Sequence, residues 1–158
     1  MTPAAIDPRL VLSEPELDAA LEQLLLAEAA LWRCAEAGLA QAPEKLGRGH
    51  WRIAFLLRRR PGSGVKELSA LTGLSKQGAS RILQGLEAAG LVEKALGEDA
   101  RRRPAALTHA GRAFEARGAE SLRASLGDAY RAAGVEHASG ARRVWAALAR
   151  SRPRGAAS

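Results

Sequence analysis

A helical pattern with a glycine turn at its centre runs through residues 65–94, VKELSALTGLSKQGASRILQGLEAAGLVEK. Apolar residues recur at helical spacing on both sides of Thr72 and Gly73. They are Val65, Leu68, Leu71, Leu74, Ala79, Ile82, Leu83 and Leu86. Two short helices joined by a tight turn that contains glycine form a helix-turn-helix. The stretch therefore predicts this motif, with Ser75 at the start of its second helix.

The second helix of the motif has a polar side opposite its apolar one. Ser75 stands at the N-cap, where Lys76 and the free backbone amides suit a phosphate oxygen. Gln and Arg side chains can each form two hydrogen bonds with a base edge in the major groove. The predicted DNA-binding residues of this helix are Ser75, Lys76, Gln77, Ser80, Arg81 and Gln84. An ordinary solvated helix face, which uses the same residue types, is the alternative interpretation.

The helical period ends at Gly90, and shorter segments follow. LVEKAL (91–96) is typical of a strand, GEDARRR (97–103) of a charged loop, and PAALT (104–108) of a second short strand. Pro104 cannot donate a hydrogen bond to a neighbouring strand, so we expect it at a sheet edge. A strand, a basic loop and a strand directly after a helix-turn-helix predict a winged helix.

Three consecutive arginines lie in the loop of the predicted wing. A wing that reaches past the major groove meets the minor groove, where negative potential favours an inserted arginine. We expect one or two of Arg101, Arg102 and Arg103 to enter that groove and the others to bind phosphate. Asp99 lies two residues before Arg101 and is predicted to orient its guanidinium through a bidentate pair.

The segment from Val65 to Gly111 resembles the MarR family of winged-helix transcriptional regulators. The specific part of the resemblance is a spacing in the wing, formed by Asp99, Arg101, Leu107, Thr108 and Gly111. A helix-turn-helix without this spacing is a far weaker match. The chain departs from the family pattern at Pro104, Ala105 and Ala106, where the family has bulkier β-forming residues, and we expect a short second strand there.

The resemblance implies a homodimer on a pseudo-palindromic DNA operator, with one recognition helix per major groove and the arginine-rich wing on the minor groove and backbone. The family places the winged helix between an N-terminal helix and two C-terminal helices that interlock in a twofold dimer. Its members commonly respond to small phenolic or lipophilic molecules, metals or oxidants, so a small-molecule effector is a further expected partner. Repression needs only occupancy of the operator and is the simplest mode of action.

The N-terminal part of the chain is predicted to be one long helix. Ser13 is a predicted N-cap, and Glu16, three residues on, completes a capping box. An apolar stripe follows along SEPELDAALEQLLLAEAALW (13–32), and it serves either an internal core or a dimer interface. Glu28 falls within this stripe and needs a partner or an opening to water if the face is buried.

Four residues are candidates for contact with an effector. Cys34 has Trp32 and the cation of Arg33 beside it, and an adjacent cation can activate a thiol towards oxidants. His50 and Trp51 open the second predicted helix, in the region where ligands of the family often bind. A packed, inert cysteine and a capping or packing role for His50 and Trp51 are the alternatives.

Charge is distributed unevenly over the 158 residues. Residues 1–47 carry 3 basic and 8 acidic side chains, residues 48–112 carry 13 and 5, and residues 113–158 carry 8 and 4. The middle of the chain therefore indicates a polyanionic partner, although an arginine-rich composition that serves solubility is the alternative.

Several classes of protein do not fit the sequence. A single cysteine excludes an internal disulfide and a multi-cysteine zinc site, and the histidines lack metal-ligand spacing, so no metal or cofactor is predicted. A glycine-rich phosphate loop, paired carboxylates in an apolar setting and a nucleophile beside a base are all missing, so we do not expect an enzyme. Without a signal peptide pattern or a long apolar run, we expect a cytoplasmic protein that does not enter a membrane.

The predicted fold is mainly α with a small β-wing, a winged helix-turn-helix flanked by N- and C-terminal dimerisation helices. We expect disordered tails at 1–12 and 151–158, an N-terminal dimerisation helix and linker at 13–47, the DNA-binding winged helix at 48–112, and C-terminal dimerisation helices at 113–150. A winged helix that binds an acidic protein, without specific DNA binding, is the alternative function.

Overall fold

The computed structural model describes residues 12–40, 46–94 and 105–151, which form six helices and one two-stranded sheet. In chain order these elements are α1 (Glu14–Leu39), α2 (Arg48–Arg59), α3 (Val65–Thr72), α4 (Lys76–Ala88), β1 (Val92–Lys94), β2 (Ala105–Leu107), α5 (His109–Ala133) and α6 (Val135–Arg150). The predicted fold class, mainly α with a small β-wing, is confirmed.

The core lies in the winged helix, where α2, α3, α4, the sheet and the first half of α5 meet. Ile53, Leu68, Leu86 and Phe114 come from four different elements and are almost fully buried. Burial of one such side chain contributes roughly 1.5–3 kcal/mol. The apolar stripes recognised in the sequence therefore converge on one centre, and they fix the orientation of α4 relative to the rest of the unit.

The turn between α3 and α4 is held by side chains as well as by its backbone. Gly73 takes a left-handed conformation (φ 72°), which an L side chain rarely adopts. The Ser69 hydroxyl donates to the carbonyl of Leu74 at 2.7 Å. The Arg52 guanidinium of α2 donates to the carbonyl of Thr72 at 3.2 Å, at the negative end of α3. These bonds fix the angle at which α4 leaves the turn.

The two strands of the wing are short and antiparallel. Val92 pairs with Leu107 and Lys94 pairs with Ala105, so the sheet has three residue pairs. Strands were predicted at 91–96 and 104–108, and the described strands occupy the inner part of both segments.

The base of the wing is joined to the start of α5 by Thr108 and Gly111. The Thr108 hydroxyl donates to the carbonyl of Gly90 at 2.8 Å and accepts the amide N–H of Gly111 at 3.0 Å. Gly111 lies so close to Leu91 that a Cβ there would stand 1.9 Å from the Leu91 carbonyl oxygen. The Leu-Thr and Gly elements of the wing spacing thus serve to dock α5 on the winged helix.

The long terminal helices leave much apolar surface uncovered. α1 packs on α5 through its C-terminal half, where Ala35 and Leu39 are buried. The N-terminal half of the α1 stripe remains exposed, and α6 buries none of its residues. The large exposed apolar residues of these two helices are Leu17, Leu21, Leu25, Leu26, Val135, Val144, Trp145 and Leu148.

The start of α1 follows the predicted capping box. The backbone N–H and the hydroxyl of Ser13 donate to the carboxylate of Glu16 at 2.8 and 2.6 Å. These two hydrogen bonds stabilise the charged carboxylate and lower the pKa of Glu16. Within the described ranges, no helix is both long enough and apolar enough to cross a membrane.

We predict that Gly111→Ala destabilises the protein by about 1–3 kcal/mol or more, because the new methyl group must push α5 away from the backbone of Leu91. Gly140→Ala in α6 is the matched control, since nothing lies within 4 Å of a Cβ there. It should be neutral or stabilise by about 0.5–1 kcal/mol. Urea denaturation followed by circular dichroism measures both changes, and equal stability of the two variants would contradict the docking role of Gly111.

Candidate functional site

The polar face of α4 has the exposure that a groove-binding helix requires. Lys76, Gln77, Arg81 and Gln84 are exposed and Ser80 is half-buried, whereas the opposite face is buried in the core. Ser75 is the N-cap, and its hydroxyl accepts the amide N–H of Gly78 at 3.0 Å. The structure therefore places Gln77, Ser80, Arg81 and Gln84 opposite the buried face of α4, with Ser75 and Lys76 at the start of the helix.

The first turn of α4 is suited to an anion. It contains no acidic residue, and Lys76 adds a positive charge to the positive end of the helix dipole. A phosphate oxygen at this position can be bound by free backbone N–H groups and by the ammonium group of Lys76.

The imidazole of His50 in α2 packs against α4 at Gly85. A Cβ at Gly85 would stand 2.9 Å from its Nε2 atom, so the imidazole fills the space that the glycine leaves. Burial lowers the pKa of His50, because desolvation disfavours the charged imidazolium. The structure thus places this predicted effector residue between α2 and α4.

The predicted wing residues Asp99, Arg101, Arg102 and Arg103 lie outside the described residues. The described strands end at Lys94 and resume at Ala105, so these residues belong to the connection between β1 and β2. Their roles on the minor groove and the DNA backbone remain predictions.

Trp32 and Trp51, both predicted effector residues, are in contact. Their rings meet edge to face with centroids 5.9 Å apart. The indole N–H of Trp32 donates to the carboxylate of Glu28 at 3.1 Å, and Arg48 donates to the same oxygen at 3.1 Å. Glu28 therefore has two partners, and its side chain is also open to water, with 54% of its surface exposed.

The fourth predicted effector residue, Cys34, lies at a different contact. Its thiol is half-buried between α1 and α5, 3.6 Å from the hydroxyl of Ser125. The structure therefore unites Trp32 with Trp51, whereas Cys34 faces α5 and His50 faces α4.

A cavity of about 490 Å³ opens between α1, α2 and α5. Its apolar wall includes the rings of Trp51 and Phe55, whose centroids are 5.2 Å apart. Three arginines, Arg58, Arg59 and Arg123, also line it. This combination suits a ligand with an apolar body and a negative charge.

Glu115 of α5 lies next to this cavity as a buried carboxylate. Its side chain is 2% exposed, and it forms an ion pair of 2.8 Å with Arg58 and one of 3.6 Å with Arg123. Its backbone carbonyl accepts the indole N–H of Trp51 at 2.9 Å. Trp51 is thus fixed by α5 as well as by the core.

The sequence interpretation missed Glu115 and the arginines of the cavity. A signal for Glu115 was present, since residues 111, 114, 115, 118 and 119 follow helical spacing and are buried together. Arg58 lies in the last turn of α2, where a positive charge is favourable without any further partner. Its partner is distant in sequence, so helical periodicity does not reveal the pair.

The described residues contain no cluster of three or more His, Cys, Asp or Glu side chains that could hold a metal ion.

Comparison with known proteins agrees with the fold. Residues 45–103 match the model of the MarR family. The HTH-type transcriptional regulator PetP of Rhodobacter capsulatus is 38% identical over 103 residues, which are 65% of this chain and 62% of PetP. The aligned region therefore spans less than two thirds of the length of that curated relative.

Solved structures extend the likeness to the terminal helices. The crystal structure of a MarR family transcription regulator is 26% identical, with a TM-score of 0.68 over 86% of this chain and 89% of that chain. NadR in complex with 4-hydroxyphenylacetate is 25% identical, with a TM-score of 0.70 over 82% of this chain and 92% of that chain. These matches confirm the resemblance to the MarR family that the wing spacing predicted.

Proposed function

We propose that this protein is a transcriptional regulator that binds a pseudo-palindromic DNA operator as a homodimer. The observation that carries the proposal is the exposed face of α4, where Lys76, Gln77 and Arg81 follow a capped, acid-free helix start. Its residue types read base edges and bind phosphate. Repression by occupancy is the simplest mode, and the cytoplasm, where the operator is accessible, is the proposed location.

The uncovered apolar surfaces of α1 and α6 support a homodimer. A groove of about 650 Å³ between α1, α5 and α6 continues these surfaces, and its lining is mostly apolar. Exposed apolar area of this extent is unusual in a monomer. We assign the region 48–112 to DNA binding and the flanking regions 13–47 and 113–150 to dimerisation. A twofold axis then presents two α4 helices to half-sites about one helical turn apart.

The cavity between α1, α2 and α5 supports an effector with an apolar body and one negative charge. Arg58, Arg59 and Arg123 can neutralise the charge, and Trp51 and Phe55 can contact the body. NadR, which shares the fold, was solved with 4-hydroxyphenylacetate, a molecule of this class. An effector that alters the packing of α2 reaches α4 directly, because the two helices are in contact.

Binding to the protein's own upstream intergenic DNA tests the proposal. The duplex should bind more tightly than a scrambled duplex of equal length, and the affinity should fall steeply with salt. Absence of salt-dependent binding would favour the second candidate, a winged helix that uses the polar face of α4 on an acidic protein.

Gln77→Ala and Arg81→Ala should each weaken binding to the operator by roughly 1–3 kcal/mol, because each removes hydrogen bonds with a base edge. Binding to the scrambled duplex should change much less. Fluorescence anisotropy on both duplexes separates the two effects. An equal reduction of affinity on both duplexes would assign these side chains to phosphate binding instead.

The double variant Arg101→Ala and Arg102→Ala should flatten the dependence of log K on log salt. The slope should fall by about one unit for each phosphate that the variant dimer no longer neutralises, since fewer counterions are released. Arg33→Ala, which removes an exposed charge on α1, is the control and should leave the slope unchanged. An unaltered slope in the double variant would disprove the binding of DNA by the wing.

Leu21→Asp together with Leu25→Asp should convert the dimer to a monomer, because two charges would enter the apolar interface. Gln23→Asp places a charge at an exposed polar position on the opposite side of α1 and should leave the dimer intact. Sedimentation velocity measures the mass directly. If the double variant still sedimented as a dimer, the proposed role of the α1 stripe would be wrong.

A further inference from the structure

Glu115 is the one charged residue that is buried among the described residues. One carboxylate oxygen is 2.8 Å from Nε of Arg58, while the other, Oε1, is buried without a hydrogen bond in the described part of the chain. The nearest cation to Oε1 is Arg123, at 3.6 Å. A buried carboxylate normally has all its oxygens satisfied, because each unmade hydrogen bond costs about 1–3 kcal/mol. The carboxylate is therefore held by fewer bonds than it can accept.

The arginines that hold Glu115 also line the cavity. Their side chains are 36% exposed for Arg58 and 57% for Arg123, so both guanidinium groups reach from the buried carboxylate to the open space. The ring of Phe55 lies under Arg58, with 5.3 Å between the guanidinium carbon and the ring centroid. A carboxylate that entered the cavity would meet the same two cations that Glu115 already uses.

Both ends of α2 carry an ion pair to a neighbouring long helix. Arg48 pairs with Glu28 of α1 at the start, and Arg58 pairs with Glu115 of α5 near the end. The first pair is about half exposed on both sides, and such pairs contribute little, about 0–1 kcal/mol. Loss of the second pair leaves a buried charge without its main partner, which is far more costly. Of the two ion pairs, the one with Glu115 therefore contributes more to holding α2 in position.

We propose that the effector displaces Glu115 from its ion pairs. A carboxylate of the ligand in the cavity binds Arg58 and Arg123 in place of Glu115, and this releases α2 from α5. This inference rests on the proposed effector-responsive regulator. A ligand carboxylate on these two guanidinium groups would repel the carboxylate of Glu115 and compete with it for their N–H donors. Binding of the ligand and the ion pair of Glu115 with Arg58 are therefore in competition.

Competition and a purely structural role of Glu115 predict opposite changes in ligand affinity when Glu115 is removed. If Glu115 only positioned the arginines, its removal would weaken the binding of an anion. If Glu115 competes with the ligand, its removal strengthens that binding. Because α2 packs on α4, the same removal should lower operator affinity in the absence of any ligand.

Glu115→Gln tests the competition with 1-naphthoate as the probe. The probe combines an apolar ring system with one carboxylate, and 1-naphthamide is the uncharged control. Quenching of the fluorescence of Trp51, which lines the cavity, reports binding. We expect Glu115→Gln to bind 1-naphthoate about tenfold more tightly than the unmodified protein, as removal of one competing charge-assisted hydrogen bond implies. The affinity for 1-naphthamide should not change.

Glu67→Gln is the matched control variant. It removes an exposed carboxylate that lies 3.7 Å from the guanidinium of Arg60, two residues after Arg58. Its affinity for 1-naphthoate should equal that of the unmodified protein. Glu115→Asp keeps the charge but withdraws it from Arg58, and its affinity should be intermediate. If Glu115→Gln does not fold, the affinity of Glu115→Asp for 1-naphthoate tests the proposal instead.

Equal or weaker binding of 1-naphthoate by the Glu115 variants would overturn the proposal, as would no binding by any of the proteins. Tighter binding by Glu67→Gln to the same extent would also overturn it, since a general change in charge would then be the cause. Operator binding by the unmodified protein is measured separately without a probe. Its absence would reject the proposed regulator, whereas the probe affinities test Glu115 without DNA.

Discussion

The close contact between Gly111 and the backbone of Leu91 joins the long helix α5 to the winged helix. It allows α5 to begin directly on the turn that follows α4, with Thr108 bonded to Gly90 beside it. From this contact α5 runs for 25 residues towards α1 and α6. A helix is stiff over this length, so the attachment at its first turn sets where the terminal helices lie relative to the polar face of α4.

The cations of α4 and those of α2 have different surroundings. On α4, cations stand in water with no acidic residue in the first turn, which leaves them available to a polyanion. Around α2, cations are paired with Glu28 and Glu115 from the long helices. The same residue type, arginine, thus provides both the proposed binding surface and the attachment of the winged helix to its neighbours.

Much of the fold was predictable because local patterns specify it. The apolar period of α3 and α4, the glycine between them and the capping residues Ser13, Ser75 and Thr108 all act within a few residues of chain. The wing spacing predicted the resemblance to the MarR family for a similar reason, since Thr108 and Gly111 act on the nearby turn at Leu91. The residues of the candidate DNA-binding face of α4 were predicted together, because they all lie on one helix.

The helices, the two short strands and the polar face of α4 follow from local sequence patterns, because each depends on the period of a single segment. The set of residues around the cavity depends on the tertiary fold instead. The fold separated Cys34 and His50 from the Trp32 and Trp51 pair, and it brought Arg58 to Glu115 across 57 positions of chain. Such contacts depend on how helices cross, and a crossing is set by the packing of the whole core rather than by the residues on either side of one position.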